Sequence, residues 1–561
     1  MKGFGNQKNS KNIKKNSNKD NHKKQIINQA IQLQSKGKNI EAAKFYQQII
    51  NQGCNDQRVF LNYGVILKKF GKLKEAEFSI RKAIEINPDY ALAHSNLGTV
   101  LKDLGKLKEA EFATRKAIEI NPDYALAHSN LGTILKDLGK LKEAEFATRK
   151  AIEINPGIAE AYSNLGTILK NLGNLNEAEF ATRKAIEINP NYALAHSNLG
   201  SILKNIGNLK EAELAFCKAI EIKPYLASAY FSLSTLNYSK KSKIWEKLFS
   251  ENILKNNLDK DKINIYFARG NILHNKKIYE ESSKYYNLAN KLKLEIKPSQ
   301  LEYRIKKSKK LFIETNKLEI NKKEYINYPK CIFIVGMPRS GSTLLESILS
   351  MNNDVYDLGE INILEESYLQ KKQIDQKSLL FDIYIERLSK IINKPKIITN
   401  KWLYNYQYTG IISRQIPNAK IIHCYRNPLD NILSIYRANF ESGNEYSSSL
   451  IDCTRIYLDQ EEIMCKYKNR FGSKIYDLNY DSLVCDPNNE IKSLISWLGW
   501  QWDDSYLFPH LNPRPVTTAS SVQVRSPINS RSSGGWKNYK DMLKPSIEIL
   551  LQSDKYRDLL S

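Results

Sequence analysis

Residues 331–360 read CIFIVGMPRSGSTLLESILSMNNDVYDLGE, and this stretch decides the second half of the chain. Cys331 to Val335 is a short apolar run that predicts a buried strand. It breaks at Gly336 and Pro338. Arg339-Ser340-Gly341-Ser342-Thr343 follows, and then Leu344, Leu345, Ile348 and Leu349 recur at helical spacing. A strand, a turn of small residues and a helix in that order form a phosphate cradle. The turn presents backbone N–H groups, and the helix N-terminus adds partial positive charge. The stretch nearly matches the nucleotide-binding pattern GxxxxGK[ST], with Gly336, Gly341 and Thr343 in place. Ser342 stands where the lysine belongs, which argues against an ATPase or a kinase. Arg339 supplies the cation instead, so the cradle suits a shorter anionic chain.

Downstream, short apolar runs alternate with helical stretches, the pattern of an α/β domain with a central parallel sheet. Ile397–Thr399 and Lys420–Tyr425 read as further strands. They end in the cations Lys401 and Arg426, as expected where ligands bind at the carboxyl ends of parallel strands. Arg426-Asn427-Pro428-Leu429-Asp430 leads into a helix that carries Ser434. An arginine at a strand end and a serine eight residues on can meet a second phosphate.

Upstream, the chain repeats. PDYALAHSNLGTVLKDLGKLKEAEFATRKAIEIN starts at Pro88 and returns with changes at Pro122, Pro156 and Pro190, and Pro224 opens a degraded copy. The period of 34 residues is that of the tetratricopeptide repeat (TPR), two antiparallel helices per unit. In the second unit Ala93, Leu97, Gly98 and Leu101 line the first helix, and Gly105 ends it. Ala110, Phe112, Ala117 and Ile118 are expected to fill the second. Weaker units cover Ala30–Ile50 and Leu61–Ile86, and another helical pair lies near Ile263–Lys293. Such arrays build a right-handed superhelix with a concave peptide-binding face. The plainer reading of this one is a spacer or a dimerisation arm. The expected layout is a disordered basic tail over 1–24, a repeat array over 25–240, a further helical segment and linker over 241–327, and the α/β domain over 328–561.

Composition excludes several classes. The chain has 561 residues and a net charge of +25, with 85 Lys and Arg against 60 Asp and Glu. The excess is mostly lysine, and no nucleic-acid motif accompanies it, so no nucleic-acid partner is expected. Seven cysteines without a CxxC pair suit a reducing compartment rather than a disulfide framework or a zinc site. No apolar run approaches the roughly 20 residues that span a bilayer, and no secretory signal is visible.

Taken together, the motifs of 325–545 resemble the sulfotransferases that use 3′-phosphoadenosine 5′-phosphosulfate (PAPS), most closely the protein-tyrosine sulfotransferases. The resemblance implies a donor with a phosphosulfate arm and a separate 3′-phosphate. The family's phosphosulfate loop is similar to Arg339, Ser340, Gly341, Ser342, Thr343 and Leu344. Its 3′-phosphate pair is similar to Arg426 and Ser434. Its catalytic glutamate step is matched by Gly359-Glu360 and its Asn-Lys step by Asn400-Lys401. Tyr480-Asp481-Ser482-Leu483 resembles the family's donor-contacting tyrosine region. Ser520-Ser521-Val522-Gln523-Val524-Arg525 resembles the start of its late donor-covering loop, with Trp536 following. Two positions depart: Gly535 stands where a basic residue is expected, and Arg437 is one place off a family arginine.

The implied roles are physical. An acceptor hydroxyl must lose a proton, and Glu360 is the expected base. Arg339 and Lys401 are expected to stabilise developing charge, and Ser520 to donate to the leaving oxygen. Ser521, Gln523 and Val524 are expected to line the donor site, and no metal is required. The acceptor expected is protein tyrosine held by the repeat array. A carbohydrate or small-molecule hydroxyl is the second reading, and a scaffold with an inactive nucleotide-binding domain the third. A cytoplasmic, bacterial protein is expected, with the oligomeric state open.

Overall fold

The computed structural model describes residues 23–558, apart from 237–241, 324, 326–327, 374–378, 393–394, 441–442, 517 and 519. The basic tail expected over 1–24 lies outside the described residues up to residue 22. The chain forms two compact units, divided between Ile202 and Leu203.

The first unit is a solenoid of helical hairpins. After a helix over 23–35 come Asn39–Asn51, Gln57–Lys69, Leu73–Ile86, Ala91–Asp103, Leu107–Ile120, Ala125–Asp137, Leu141–Ile154, Ala159–Asn171 and Leu175–Ile188. Small residues set the approach of the paired helices. A Cβ on Gly98 would stand 2.0 Å from Thr114 Oγ1 and 3.2 Å from the Ala110 carbonyl. The Thr114 hydroxyl donates back to that carbonyl at 2.9 Å. The interior of the second helix is Ala110, Ala113, Thr114 and Ala117.

Phe112 does not fill that interior, contrary to the sequence expectation. It is 77% exposed, and its counterparts Phe78, Phe146 and Phe180 are exposed as well. Ala110, Thr114 and Ala117 define one face at helical spacing. Two residues past Ala110 the chain has turned about 200°, so Phe112 points away from its partner helix.

The second unit carries the α/β domain. Helices α1 (Asp259–Asn275), α2 (Tyr279–Ile296) and α3 (Leu301–Lys317) precede the sheet. The strands are β1 (Lys330–Gly336), β2 (Val355–Asp357), β3 (Ile397–Asn400), β4 (Lys420–Tyr425) and β5 (Ile475–Asn479). They lie in the order β2-β3-β1-β4-β5, and every pairing is parallel. Helix α4 (Ser342–Leu349) follows β1, α5 (Pro428–Tyr436) follows β4, and α6 (Leu450–Phe471) precedes β5.

Alternation along the strands splits the core in two. Phe333, Val335, Ile398 and Ile421 pack with Met464 and Tyr467 of α6 on one face. Ile332, Ile334, Ile422 and Cys424 pack with Leu345, Ile348 and Leu349 of α4 on the other. The parallel sheet between helices agrees with the α/β domain expected from the sequence. Strands β2 and β5 were not legible, because each is a short edge strand that is only partly buried.

The segment before the sheet is more than a linker. Ile263 and Phe267 of α1, Tyr286 and Ala289 of α2 and Leu301 of α3 share one core with Leu429, Ile432 and Ile435 of α5 and with Trp536 and Tyr539. The Asn290 amide donates to the Tyr436 carbonyl at 2.8 Å. These helices therefore brace α5, the helix that carries Ser434. Among the described residues, no helix is long and apolar enough to cross a membrane.

Candidate active site

The chain reverses its winding beside β1, since β3 lies on one side and β4 on the other. In open parallel sheets, ligands bind outside the carboxyl ends of the strands at such a point. The candidate residues gather there.

The turn after β1 is a strained cradle. Arg339 holds a left-handed backbone with φ 67°, unusual for a residue with a side chain, and Gly341 has φ 96°. A Cβ on Gly341 would stand 2.3 Å from the Tyr480 ring, so the close approach of ring and turn requires glycine. Ser342 and Thr343 open α4 and are buried. The Thr343 hydroxyl meets that of Thr518 at 3.2 Å. The Leu344 side chain packs in the core, leaving the main chain of the turn to face a ligand.

The Arg339 guanidinium gathers three partners from distant segments. Nε donates to Ser434 Oγ at 3.1 Å, Nη1 to Ser520 Oγ at 2.5 Å and Nη2 to Gln523 Oε1 at 2.9 Å. Burial, together with the nearby Arg426 and Arg437, holds its pKa down to about 10, so it remains a cation at neutral pH. Ser434 thus joins Arg339 directly, and Ser520 accepts a hydrogen bond here. Ser521 is buried, with its N–H on the Thr518 carbonyl at 3.0 Å. The Val524 side chain is in the core, and its N–H donates to the Ser520 carbonyl at 3.2 Å.

Arg426, at the end of β4, is buried above the Tyr480 ring, 4.8 Å from its centroid. Its Nη2 donates to the Ser532 carbonyl. The Ser532 hydroxyl meets the Tyr480 hydroxyl at 2.9 Å. Asp430, on α5, accepts from the N–H groups of Gly534 at 2.6 Å and Trp536 at 2.9 Å, which fixes the far end of the late loop. Gly535 leaves room beside that carboxylate, where an added Cβ would stay 3.7 Å away. Arg437 turns to the Tyr286 and Tyr539 rings, 5.5 and 5.7 Å from their centroids.

Glu360 and Lys401 meet across two segments. Lys401 Nζ donates to Glu360 Oε1 at 2.9 Å. The Lys401 N–H donates to the Gly359 carbonyl at 3.0 Å, and the Asn400 amide donates to the Ile361 carbonyl at 3.2 Å. One backbone bond and one side-chain amide bond to a backbone carbonyl therefore set the pair. Lys401 is fully buried, whereas Glu360 is 47% exposed. Burial alone would lower the lysine pKa, but Glu346 and Glu360 outweigh it and raise the value above the ordinary one.

Several partners escaped the sequence reading: Thr518, Ser532 and Glu346. Glu346 had a legible signal, an acid among the apolar residues of α4. Thr518 and Ser532 lie in a loop without periodicity, so nothing local marked them.

The cradle also fits a bound anion on its own terms. Ser340 Oγ and Arg426 Nε are buried there and have no hydrogen-bond partner among the described residues. Buried polar atoms of this kind call for an acceptor or donor from a ligand or solvent.

Residues 329–381 and 371–504 match the sulfotransferase family, and residues 57–90, 91–124, 125–157, 159–192, 181–213 and 263–295 match tetratricopeptide repeats. Matches to TPR units thus precede a match to the sulfotransferase family along the chain. An uncharacterized protein of Aquifex aeolicus is 34% identical over 247 residues, covering 40% of this chain and 32% of that one. The chain thus spans about a third of the length of that relative. A putative protein-tyrosine sulfotransferase of Caenorhabditis briggsae is 23% identical over 243 residues, covering 37% of this chain and 81% of that one. Among solved structures, the TPR protein YrrB, described as having an unusual peptide-binding site, is 28% identical, covering 33% of this chain and 96% of that one at a TM-score of 0.26.

Proposed function

We propose that the protein transfers a sulfuryl group from PAPS to protein tyrosine, with residues 328–561 as the catalytic domain and the TPR array as the holder of the protein substrate. One observation carries the reading. An accessible carboxylate, Glu360, is paired with a buried ammonium, Lys401, at the strand ends that also carry Arg339 and Arg426.

The residues present suit this donor. Arg339, the turn through Ser340, Gly341, Ser342 and Thr343, and the N-terminus of α4 would hold the phosphosulfate. Arg426 and Ser434 would hold the 3′-phosphate, with Tyr480 and the loop of Ser520, Ser521 and Gln523 around them. When bound, the donor supplies a sulfuryl group whose bond to the 5′-phosphate oxygen is exchanged for one to the acceptor oxygen.

The chain's own groups do the rest. Glu360 takes the acceptor's proton. Arg339 and Lys401 offset the negative charge that grows on the leaving side, where preorganised donors act without reorganisation. A phenol is a far weaker acid than a carboxylic acid, so the proton moves late, as the new bond forms. Binding of the donor requires Ser520 and Gln523 to share Arg339 with it.

Two features favour tyrosine. Relatives named protein-tyrosine sulfotransferases match 37% and 40% of the chain, and the net charge of +25 suits acidic flanks around the acceptor. The test is label transfer from ³⁵S-labelled PAPS to an acidic tyrosine peptide, to its phenylalanine version and to an oligosaccharide. Label on the tyrosine peptide alone supports the reading. Label on the oligosaccharide alone keeps the donor chemistry and replaces the acceptor.

A further inference from the structure

Glu346 is an acid that the reading above does not use. It sits on α4 between Leu345 and Ser347, and it is buried at 8% exposure. Its Oε2 lies 3.4 Å from Lys401 Nζ, and its Oε1 has no partner among the described residues. The fully buried ammonium therefore stands between two carboxylates. One of them is accessible, Glu360 at 2.9 Å, and the other is enclosed.

The arrangement has a consequence for charge. When Glu360 accepts a proton it becomes neutral, and Lys401 loses its nearer counter-ion. An isolated ammonium in a site without water is strongly disfavoured and tends to give up its proton. Glu346 is the group placed to balance it at that moment.

We propose that Glu346 is a positioning residue for the transfer, keeping Lys401 paired and charged while Glu360 takes the proton of the acceptor hydroxyl. The inference rests on the roles given above to Glu360 and Lys401. The proton passes from the acceptor oxygen to Glu360, and Lys401 keeps its own. Glu346 must be ionised for this, so that its charge cancels that of the ammonium.

The surroundings agree with a carboxyl that can change state. Burial raises the Glu346 pKa to about 7, against the pull of Lys401 and with help from Asp357 and Glu360. Asp357, at the end of β2, is itself paired with Arg514 at 3.3 Å. The short segments packed on α4, at 504–507, 509–511 and 523–525, carry Asp504, Tyr506, His510 and Arg525. Arg525 is bound to the Asn512 and Arg514 carbonyls, and Asp504 to the Trp502 indole. Among the described residues, Lys401 is the cation that pairs with Glu346.

The test uses the full chain with Glu346→Gln and Glu346→Asp. Turnover of ³⁵S-labelled PAPS with the acidic tyrosine peptide is followed across the neutral pH range, and binding of adenosine 3′,5′-bisphosphate by calorimetry. Infrared pH-difference spectra give a readout that needs no turnover. For Glu346→Gln, kcat should fall by about 10–100-fold, the scale of a misplaced catalytic group, with KM for PAPS and bisphosphate binding little changed. The wild-type kcat should rise as pH passes about 7, following the ionisation of Glu346. That rise should vanish in the Gln variant and return in the Asp variant. A protonated-carboxyl band titrating over the same range should be present in the wild type and absent from Glu346→Gln.

Equal kcat and an equal pH profile in the Gln variant would overturn the inference while the wild type still transfers. Loss of bisphosphate binding in the Gln variant would overturn it too, by making Glu346 part of the cradle's structure. A wild type that transfers nothing from PAPS would instead overturn the reading beneath it.

Discussion

Lys401 Nζ and Glu360 Oε1 lie 2.9 Å apart although the residues are 41 positions apart in the chain. The bond between the Lys401 N–H and the Gly359 carbonyl fixes the two segments side by side, so the pairing does not depend on flexible side chains finding each other. Residues that act as one unit give non-additive losses. Lys401→Met and Glu360→Gln should each cut turnover severely, and the double variant should lose less than the sum. A coupling of about 0.5–3 kcal/mol in the double-mutant cycle on kcat is expected.

The proposed 3′-phosphate site at Arg426 can be tested without turnover. Arg426→Ala should weaken adenosine 3′,5′-bisphosphate by roughly 1.5–3 kcal/mol, the worth of a hydrogen bond to a charged group. Adenosine 5′-phosphate, which lacks the 3′-phosphate, should lose little. Calorimetric titration of both ligands against both proteins separates the sites, and equal losses would show that Arg426 does not read the 3′-phosphate.

Gly341→Ala should damage the cradle and little else. Its φ of 96° disfavours a side chain, and the added Cβ would stand 2.3 Å from the Tyr480 ring. A strained position of this kind costs of order 1–3 kcal/mol. A lower unfolding midpoint with bisphosphate affinity largely lost is expected, and Gly341→Ala with native affinity would show that the ring yields freely.

Much of this was legible in the sequence, for identifiable reasons. The repeat announces itself because Gly98, Ala110 and Pro122 recur at a fixed period, and the cradle because its strand, turn and helix are contiguous. Lys401, Arg426 and Ser434 could be read from the strand ends and the helix after β4, whereas Glu360 needed the resemblance, since no local pattern marks it. Phe112 misled because its size suggests a core residue, while the helical face was set by Ala110, Thr114 and Ala117. Helices α1 and α2 read as an extra repeat and linker, and only packing shows them bracing α5. Thr518 and Ser532 could not be found at all, because their role comes from where a loop folds back.

Glu346 also gives the protein a stability signature. Burial raises its pKa to about 7 in the folded state, against an ordinary glutamate near 4.3 when unfolded. The folded state therefore holds this proton more tightly, and between those two values stability falls as pH rises. The stabilising contribution is complete below the lower value and lost above the upper one, roughly 2–4 kcal/mol in all. Glu346→Gln stands in for the protonated form. It should flatten this slope and be more stable than the wild type at pH above about 8, even as its turnover falls. Urea unfolding of the C-terminal unit on either side of the window measures this, and parallel slopes in the two proteins would assign the pH dependence elsewhere.

The central claim is that Glu360 is the base of a sulfuryl transfer from PAPS. The most direct measurement incubates ³⁵S-labelled PAPS and a lysate of the source cells with the wild type or with Glu360→Ala, after calorimetry has shown that both bind adenosine 3′,5′-bisphosphate equally. The account predicts label in a protein band with the wild type and a rate lower by about 10²–10⁴-fold with Glu360→Ala. Equal labelling by the two proteins, or no label in any fraction from a wild type that binds the bisphosphate, would contradict it.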